Sequence, residues 1–307
     1  MSNQPTHHFF DATAAQLSYF EWGDAGAPVI VLAHATGFHA RVWDKTISAL
    51  PEGYRIIAVE LRGHGRSPFS EPIDAWRSIA TDLGELIDSL ALRDAIGVGH
   101  SMGAHCMTQV AYDMPTVFKR LLLVDPVISP PIVYEHDRHA NFDGPHEHPI
   151  AARRSAFDSW QAMRDHFKDR PPYSFWQPAV LEDYCRFGLM PSESGNGYEL
   201  ACAPLVEASV YYFQRHGKIH HLLPEITIPV TVLRAQERSA EEWKTTNFLK
   251  SPTWEFLADQ FPNGRDIYLP KFTHFIPMQS PNLVARFIAD GNATLFPGEE
   301  TRPPLEI

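Results

Sequence analysis

Three cysteines in 307 residues are too few for a disulfide framework. Cys106, Cys185 and Cys202 are odd in number, widely spaced and form no CxxC pair. That pattern excludes the common zinc and redox motifs and points to reduced thiols in a cytoplasmic protein. Long apolar runs are missing as well: no stretch approaches the roughly 18 residues of a transmembrane helix. The opening MSNQPTHHFFDATAAQ has no basic segment followed by an apolar one, so no secretory signal is expected. Positive charge is in the minority, with 26 Lys and Arg against 37 Asp and Glu and a formal charge of −11. Such a balance argues against nucleic acid or an anionic membrane as a partner. No internal repeat is visible.

What is present is apolar material for a sizeable core: 44% of residues are hydrophobic and 12% aromatic. Short runs with strand character (16–23, 28–34, 54–61, 94–100, 120–126, 229–235 and 265–270) alternate with segments of helical spacing (41–50, 73–90, 102–114, 251–261 and 281–290). Strands as continuous apolar runs between helices predict a parallel sheet covered on both faces. Residues 128–227 interrupt the alternation. This stretch is rich in Pro, His and aromatics, with helices expected near 149–168, 178–187 and 200–216, and it reads as an all-helical lid. The core is then 1–127 plus 228–307. The tail after Leu295, FPGEETRPPLEI, reads as a poorly ordered end.

One motif carries chemistry. Gly99-His100-Ser101-Met102-Gly103 lies between an apolar strand and a helix. A serine on so sharp a turn has its hydroxyl thrust clear of the sheet, and glycine is needed two positions away on both sides, where the chain nearly touches itself. The helix start supplies an unpaired N–H at Met102 and a positive dipole end.

On these residues the chain resembles the α/β-hydrolase family over most of its length. HATGFHARVW (34–43) is similar to the family's oxyanion loop, with Ala35 for the usual Gly. ELRGHGRS (60–67) is similar to a structural turn of the family, with Glu60 for Asp. YLPKFTHFIPMQSP (268–281) is similar to the last strand and the loop of the catalytic histidine. The resemblance implies an α/β-hydrolase fold: a mostly parallel eight-stranded sheet flanked by helices, with an inserted cap. It implies Ser101 as nucleophile, His274 as base, and an oxyanion hole from the N–H groups of Thr36 and Met102. A serine at the elbow, where dehalogenases and epoxide hydrolases carry Asp, argues against those two chemistries.

The acid partner of His274 is open between two residues. In most of the family it follows the strand after the cap, but here that stretch reads VTVLRAQERSAEEW, with Arg238 or Ser239 at the usual place of the Asp and Glu237 slightly short of it. Asp125, 24 residues after Ser101 at the end of strand 120–125, is preferred; Glu237 is the alternative. Among the other histidines, His34 reads as a loop-fixing residue, His39 as a substrate contact, His64 as part of a turn, and His100 as pointing away from the site. His136, His139, His146 and His148 sit among acidic residues in YEHDRHANFDGPHEHP; a solvated loop is preferred to a metal site. Trp176, Tyr184, Phe187, Leu189, Tyr211, Tyr212 and Phe213 either line a pocket over Ser101 or form the lid's own core. The expected activity is hydrolysis of a small-molecule carboxylic ester without a cofactor. The alternatives are a lactone or carbon–carbon bond cleaved at the same site, a binding protein that has lost turnover, and a metal-dependent enzyme.

Overall fold

Two short strands, β1 (Thr6–Asp11) and β2 (Gln16–Trp22), form an antiparallel hairpin at the edge of an eight-stranded sheet. β3 (Val29–Ala33), β4 (Arg55–Glu60), β5 (Ala95–His100) and β6 (Phe118–Val124) follow. Helix α1 (Asp44–Ser48) links β3 to β4, α2 (Trp76–Ser89) links β4 to β5, and α3 (Met102–Asp113) links β5 to β6. After β6 come α4 (Trp160–Phe167), α5 (Pro178–Phe187), α6 (Pro204–Tyr212) and three short strands, β7 (Ala156–Phe157), β8 (Leu189–Pro191) and β9 (Tyr198–Leu200). β10 (Val230–Arg234), β11 (Gly264–Tyr268), α7 (Ile276–Gln279) and α8 (Pro281–Ala289) complete the chain. The computed structural model describes residues 4–135, 142–193, 195–244 and 247–296. The tail beyond Phe296, His136 and His139 lie outside the described residues.

The large sheet runs β1-β2-β4-β3-β5-β6-β10-β11, and every pair from β4 to β11 is parallel. Its central strands are apolar throughout because both faces are covered. Alternate residues serve opposite cores: Val31, Ala33, Ile57 and Val59 face α2 and α3, whereas Ile30, Leu32, Ile56 and Ala58 face α1 and α8. Helix α2 contributes Ile79, Leu83 and Leu86 to the first core, and α8 contributes Leu283 and Phe287 to the second. Each such side chain, fully buried, stabilises the fold by about 1.5–3 kcal/mol.

Two expectations need correction, and one strand was not foreseen. The hairpin strand β1 has no apolar run to betray it; His7 bonds Ser18 across the pair at 2.8 Å, and alternate residues such as Phe9 are exposed. The segment after β6 is not all-helical, because β7, β9 and β8 form a small antiparallel sheet. Strands of two or three residues are too short to show a period of two. Finally, 251–261 is not a helix: only a single 3-10 turn forms, at Ala258–Gln260. The Ser251 hydroxyl, at the start of that stretch, donates to the Asp125 carboxylate.

Candidate active site

Ser101 stands between β5 and α3 with φ 58° and ψ −118°. A non-glycine residue there is strained by about 1–3 kcal/mol, and the surroundings must hold it. They do so through the backbone: Ser101 N–H donates to the Val124 carbonyl at 3.1 Å, and the Ser101 carbonyl accepts from His105 N–H at 3.2 Å. The flanking glycines have a steric cause. A Cβ on Gly99 would lie 2.4 Å from the Ala104 backbone, and one on Gly103 would lie 2.4 Å from the Ala33 carbonyl oxygen. That second approach presses the start of α3 against the Ala33 and His34 carbonyls at the exit of β3.

The Ser101 hydroxyl meets His274. Ser101 Oγ is 2.9 Å from His274 Nε2, and His274 Nδ1 is 2.6 Å from Asp125 Oδ2. With Nδ1 carrying the hydrogen toward Asp125, Nε2 is the acceptor for the serine hydroxyl. Asp125 is fully buried, and its φ of 43° is left-handed, a conformation that Asp tolerates better than most residues. Its other oxygen, Oδ1, accepts from Ala235 N–H at 2.8 Å and Ser251 Oγ at 2.6 Å, with Thr253 Oγ1 3.3 Å away. The carboxylate is thus fixed by donors from two stretches, the end of β10 and the 251–253 turn. Glu237 is elsewhere: its side chain is 62% exposed and pairs with Arg234 at 3.5 Å.

The loop after β3 is anchored by His34. Its Nδ1–H donates to the Ala35 carbonyl at 2.8 Å, and its Nε2 accepts from Leu61 N–H at 3.0 Å. Burial holds its pKa well below the usual 6.5, so the ring stays neutral and keeps both bonds. Ala35 needs no glycine, because the left-handed residue of the loop is Gly37, at φ 78°. A Cβ on Gly37 would lie 2.5 Å from Glu207 Oε1, and Glu207 is itself paired with Arg153 at 2.7 Å. This buried ion pair packs against the Thr36–Gly37 turn; nothing in the spacing of the sequence announces it. Thr36 and Met102 are both buried, and Thr36 lines the same cavity as Ser101 and His274.

The remaining histidines separate. His39 does not face that cavity; its Nε2–H donates to the Tyr184 carbonyl at 3.0 Å, and burial holds its pKa down to about 3. His64 donates to the Arg62 carbonyl at 2.8 Å within its turn, with its pKa lowered by burial to about 4. His100 departs from the expectation that it points away, because its Nε2–H donates to the carbonyl of His274 at 2.8 Å. His146 is exposed, whereas His148 is buried on the cavity wall and stacks on Tyr211, ring centroids 5.6 Å apart. Among the described residues, no group of three or more His, Cys, Asp or Glu side chains is arranged to hold a metal ion.

Of the aromatics singled out after β6, Tyr211 lines the cavity; Tyr184 and Trp176 do not, and they cluster with Tyr173 and with Phe38 and Phe275, which do line it. The cavity wall also carries Val127, Ser129, Val133, Tyr134, Gln214, Arg238, Phe248 and Pro252.

The sequence pattern of the alpha/beta hydrolase family matches residues 30–287, a span that contains Ser101, Asp125 and His274. The chain belongs to this alpha/beta hydrolase family. Within the family, it is 29% identical over 247 residues to 3-oxoadipate enol-lactonase 2 of Acinetobacter baylyi, covering 75% of this chain and 79% of that protein. A stretch of 103 residues is 37% identical to Epoxide hydrolase A of Mycobacterium tuberculosis, but it spans only about a third of each protein, 33% of this chain and 32% of the relative. The solved structure of E-2-(acetamidomethylene)succinate hydrolase superposes with a TM-score of 0.71 at 19% identity, covering 93% of this chain and 98% of that one. This likeness shows a shared fold. The fold and the hydrolase family are therefore as the motifs implied. No helix among the described residues is long and apolar enough to cross a membrane.

Proposed function

We propose that this alpha/beta hydrolase cleaves small-molecule carboxylic esters through an acyl-enzyme on Ser101. The observation that carries the reading is the continuous chain from Ser101 Oγ to His274 Nε2 at 2.9 Å and from His274 Nδ1 to Asp125 at 2.6 Å, opening on one cavity. A serine hydroxyl is a weak nucleophile until a base takes its proton as it attacks. His274 takes that proton at Nε2. The Asp125 carboxylate holds the Nδ1–H tautomer and steadies the imidazolium that forms. Met102 N–H and Thr36 N–H receive the oxyanion; one such donor is worth about 2.7–4 kcal/mol of barrier. Collapse of the tetrahedral adduct expels the alcohol, which His274 protonates. Water, deprotonated by His274, then attacks the acyl-enzyme and restores Ser101.

Residues 128–227 act in this reading as a lid: Ser129, Val133, Tyr134, His148, Tyr211 and Gln214 supply one wall of the cavity. The free, buried thiols of Cys106, Cys185 and Cys202 support a cytoplasmic setting. Likeness to an enol-lactonase favours a second substrate form for the same chemistry, an ester bond closed into a ring.

The test is hydrolysis of p-nitrophenyl acetate, butyrate, octanoate and laurate by the wild type and Ser101→Ala. Turnover abolished by the substitution is the expected result. Turnover that survives in Ser101→Ala removes Ser101 as nucleophile. Folded wild-type protein inert toward all four esters and toward lactones overturns ester hydrolysis in favour of carbon–carbon cleavage or binding without turnover.

A further inference from the structure

The loop after β3 is anchored differently at its two ends. Its first residue, His34, is tied to the sheet through Leu61 N–H. The later residues lean on segment 128–227 instead. Gly37 lies under the Glu207 carboxylate. Phe38 packs on the rings of Tyr184 and Trp176, with centroids 5.1 and 5.6 Å away, and His39 donates to the Tyr184 carbonyl. Thr36, whose N–H receives the oxyanion in the proposed reaction, lies between the two anchors.

Glu207, on α6, is a buried support at close quarters. A Cβ on Gly37 would meet its Oε1 at 2.5 Å and its Cδ at 2.8 Å, so the carboxylate fills the space that a side chain would need. The left-handed φ of 78° at Gly37 is one that glycine adopts without strain. A buried carboxylate is costly unless paired, and this one is paired: Oε2 accepts from Arg153 Nη1 at 2.7 Å. The Tyr184 hydroxyl lies beside the same guanidinium. Arg153 thus joins α6, which carries Glu207, to α5, which carries Tyr184, and both helices hold residues of the loop. Neither Arg153 nor Glu207 lines the cavity over Ser101. Apolar side chains of similar volume would stabilise such a place as well as an ion pair does, so stability alone does not account for it.

We propose that Arg153 and Glu207 are a positioning pair: steered by Arg153, the Glu207 carboxylate seats Gly37 and so aims the Thr36 N–H at the oxyanion. The inference rests on the oxyanion hole of the ester-hydrolase reading and adds the residues that shape it. With one oxygen committed to Arg153, the carboxylate has its other oxygen held against Gly37. A donor loses strength steeply when its angle is poor, and it accelerates the reaction only when aimed at the developing oxyanion. Loss of the seat therefore falls on kcat more than on KM.

The experiment follows hydrolysis of p-nitrophenyl butyrate and inhibition by an alkyl trifluoromethyl ketone, whose adduct with Ser101 places an oxyanion in the hole. The variants are Glu207→Ala, Glu207→Asp, Glu207→Gln and Arg153→Met. Active sites are counted by the p-nitrophenol released on complete reaction with diethyl p-nitrophenyl phosphate, so unfolded protein drops out. Glu207→Ala and Arg153→Met should lose about 10–100-fold in kcat per site, with KM changed less than about threefold. Their affinity for the ketone should fall by the same factor. Glu207→Asp, which keeps the charge but stops one carbon short of Gly37, should also lose kcat. Glu207→Gln, which keeps the reach and an acceptor for Arg153, should recover part of it. If the truncations do not fold, the Asp and Gln variants carry the comparison. Fewer active sites, each with wild-type kcat and ketone affinity, would show a structural role only; that result overturns the proposal and leaves ester hydrolysis standing. Ketone binding that depends on Glu207, in a protein that cleaves no ester, supports the pair and overturns the ester reading instead. A folded wild type that neither cleaves esters nor binds the ketone overturns both.

Discussion

His100 Nε2–H donates to the backbone carbonyl of His274 at 2.8 Å, joining the elbow to the loop of the base. The residue before the serine is thus a strut. Burial keeps its pKa well below 6.5, so the ring remains a neutral donor of fixed tautomer across the working range. Replacing it with Phe keeps the volume and leaves the His274 carbonyl unpaired. The expected result is a fall in kcat of about 10–100-fold with a smaller change in KM, since an error of 1 Å in a reacting group costs on that order. His100→Gln, which can still donate, should recover part of it. Unaltered kcat in folded His100→Phe would remove the strut from the account.

Asp125 and Glu237 separate cleanly by environment. One is fully buried and bonded to His274; the other is largely exposed beside Arg234. Asp125→Asn should lower kcat by about 10³–10⁴-fold, because the amide no longer selects the Nδ1–H tautomer. Glu237→Gln should change it by less than about twofold, in keeping with the small worth of an exposed ion pair. Steady-state kinetics on one p-nitrophenyl ester decide; the reverse order would move the acid's role to Glu237.

The parts of this site that were legible in the sequence share a property: each lies in a local pattern with a steric or hydrogen-bonding cause. Gly99 and Gly103 mark the elbow because the chain touches itself there, and the apolar runs mark the parallel strands because both faces are covered. Asp125 could be preferred to Glu237 only on its well-defined strand end, since nothing local distinguishes a capping Asp from one aimed at His274 across 149 residues. Ser251 opens the stretch 251–261, whose spacing predicts a helix. Its neighbours Pro252 and Thr253 fit a helix start equally well, and only the fold shows that its hydroxyl has a stronger acceptor in a buried carboxylate. The ion pair of Arg153 and Glu207 under Gly37, and the reach of Arg238 into the cavity, depend on contacts between distant segments and left no periodic trace.

The two hydroxyls around Asp125 should differ in effect. Ser251 Oγ donates to Oδ1 at 2.6 Å, whereas Thr253 has one hydroxyl hydrogen and a closer acceptor in the Pro126 carbonyl, 2.8 Å against 3.3 Å to the carboxylate. Hydrogen bonds to charged groups contribute about 1.5–3 kcal/mol. Ser251→Ala should therefore lower both stability and kcat, the latter by about tenfold or more. Thr253→Val should lower stability with little change in kcat. Urea unfolding alongside kinetics measures both, and equal kcat losses in the two variants would contradict the assignment.

Acid should destabilise this fold through its buried neutral histidines. His105 donates from Nε2 to the Gly217 carbonyl at 2.8 Å, and its Nδ1 lies 3.1 Å from Gln109 Nε2. Burial foremost lowers its pKa from 6.5 to about 4, as it does for His64; His39 is lowered to about 3. In the unfolded chain these rings titrate near 6.5, so below that pH the unfolded state binds protons that the folded state refuses. Stability is then fully present above 6.5 and falls as pH drops toward 4, where His64 and His105 begin to charge in the folded protein. Each ring contributes at most about 1.4 kcal/mol per pH unit to that slope. Replacing His105 with Gln removes one titrating group and keeps a donor for Gly217. Urea midpoints between pH 7.5 and 5 should fall less steeply in His105→Gln than in the wild type, by close to one proton's worth of slope. Parallel profiles would mean that His105 is not held neutral by the fold.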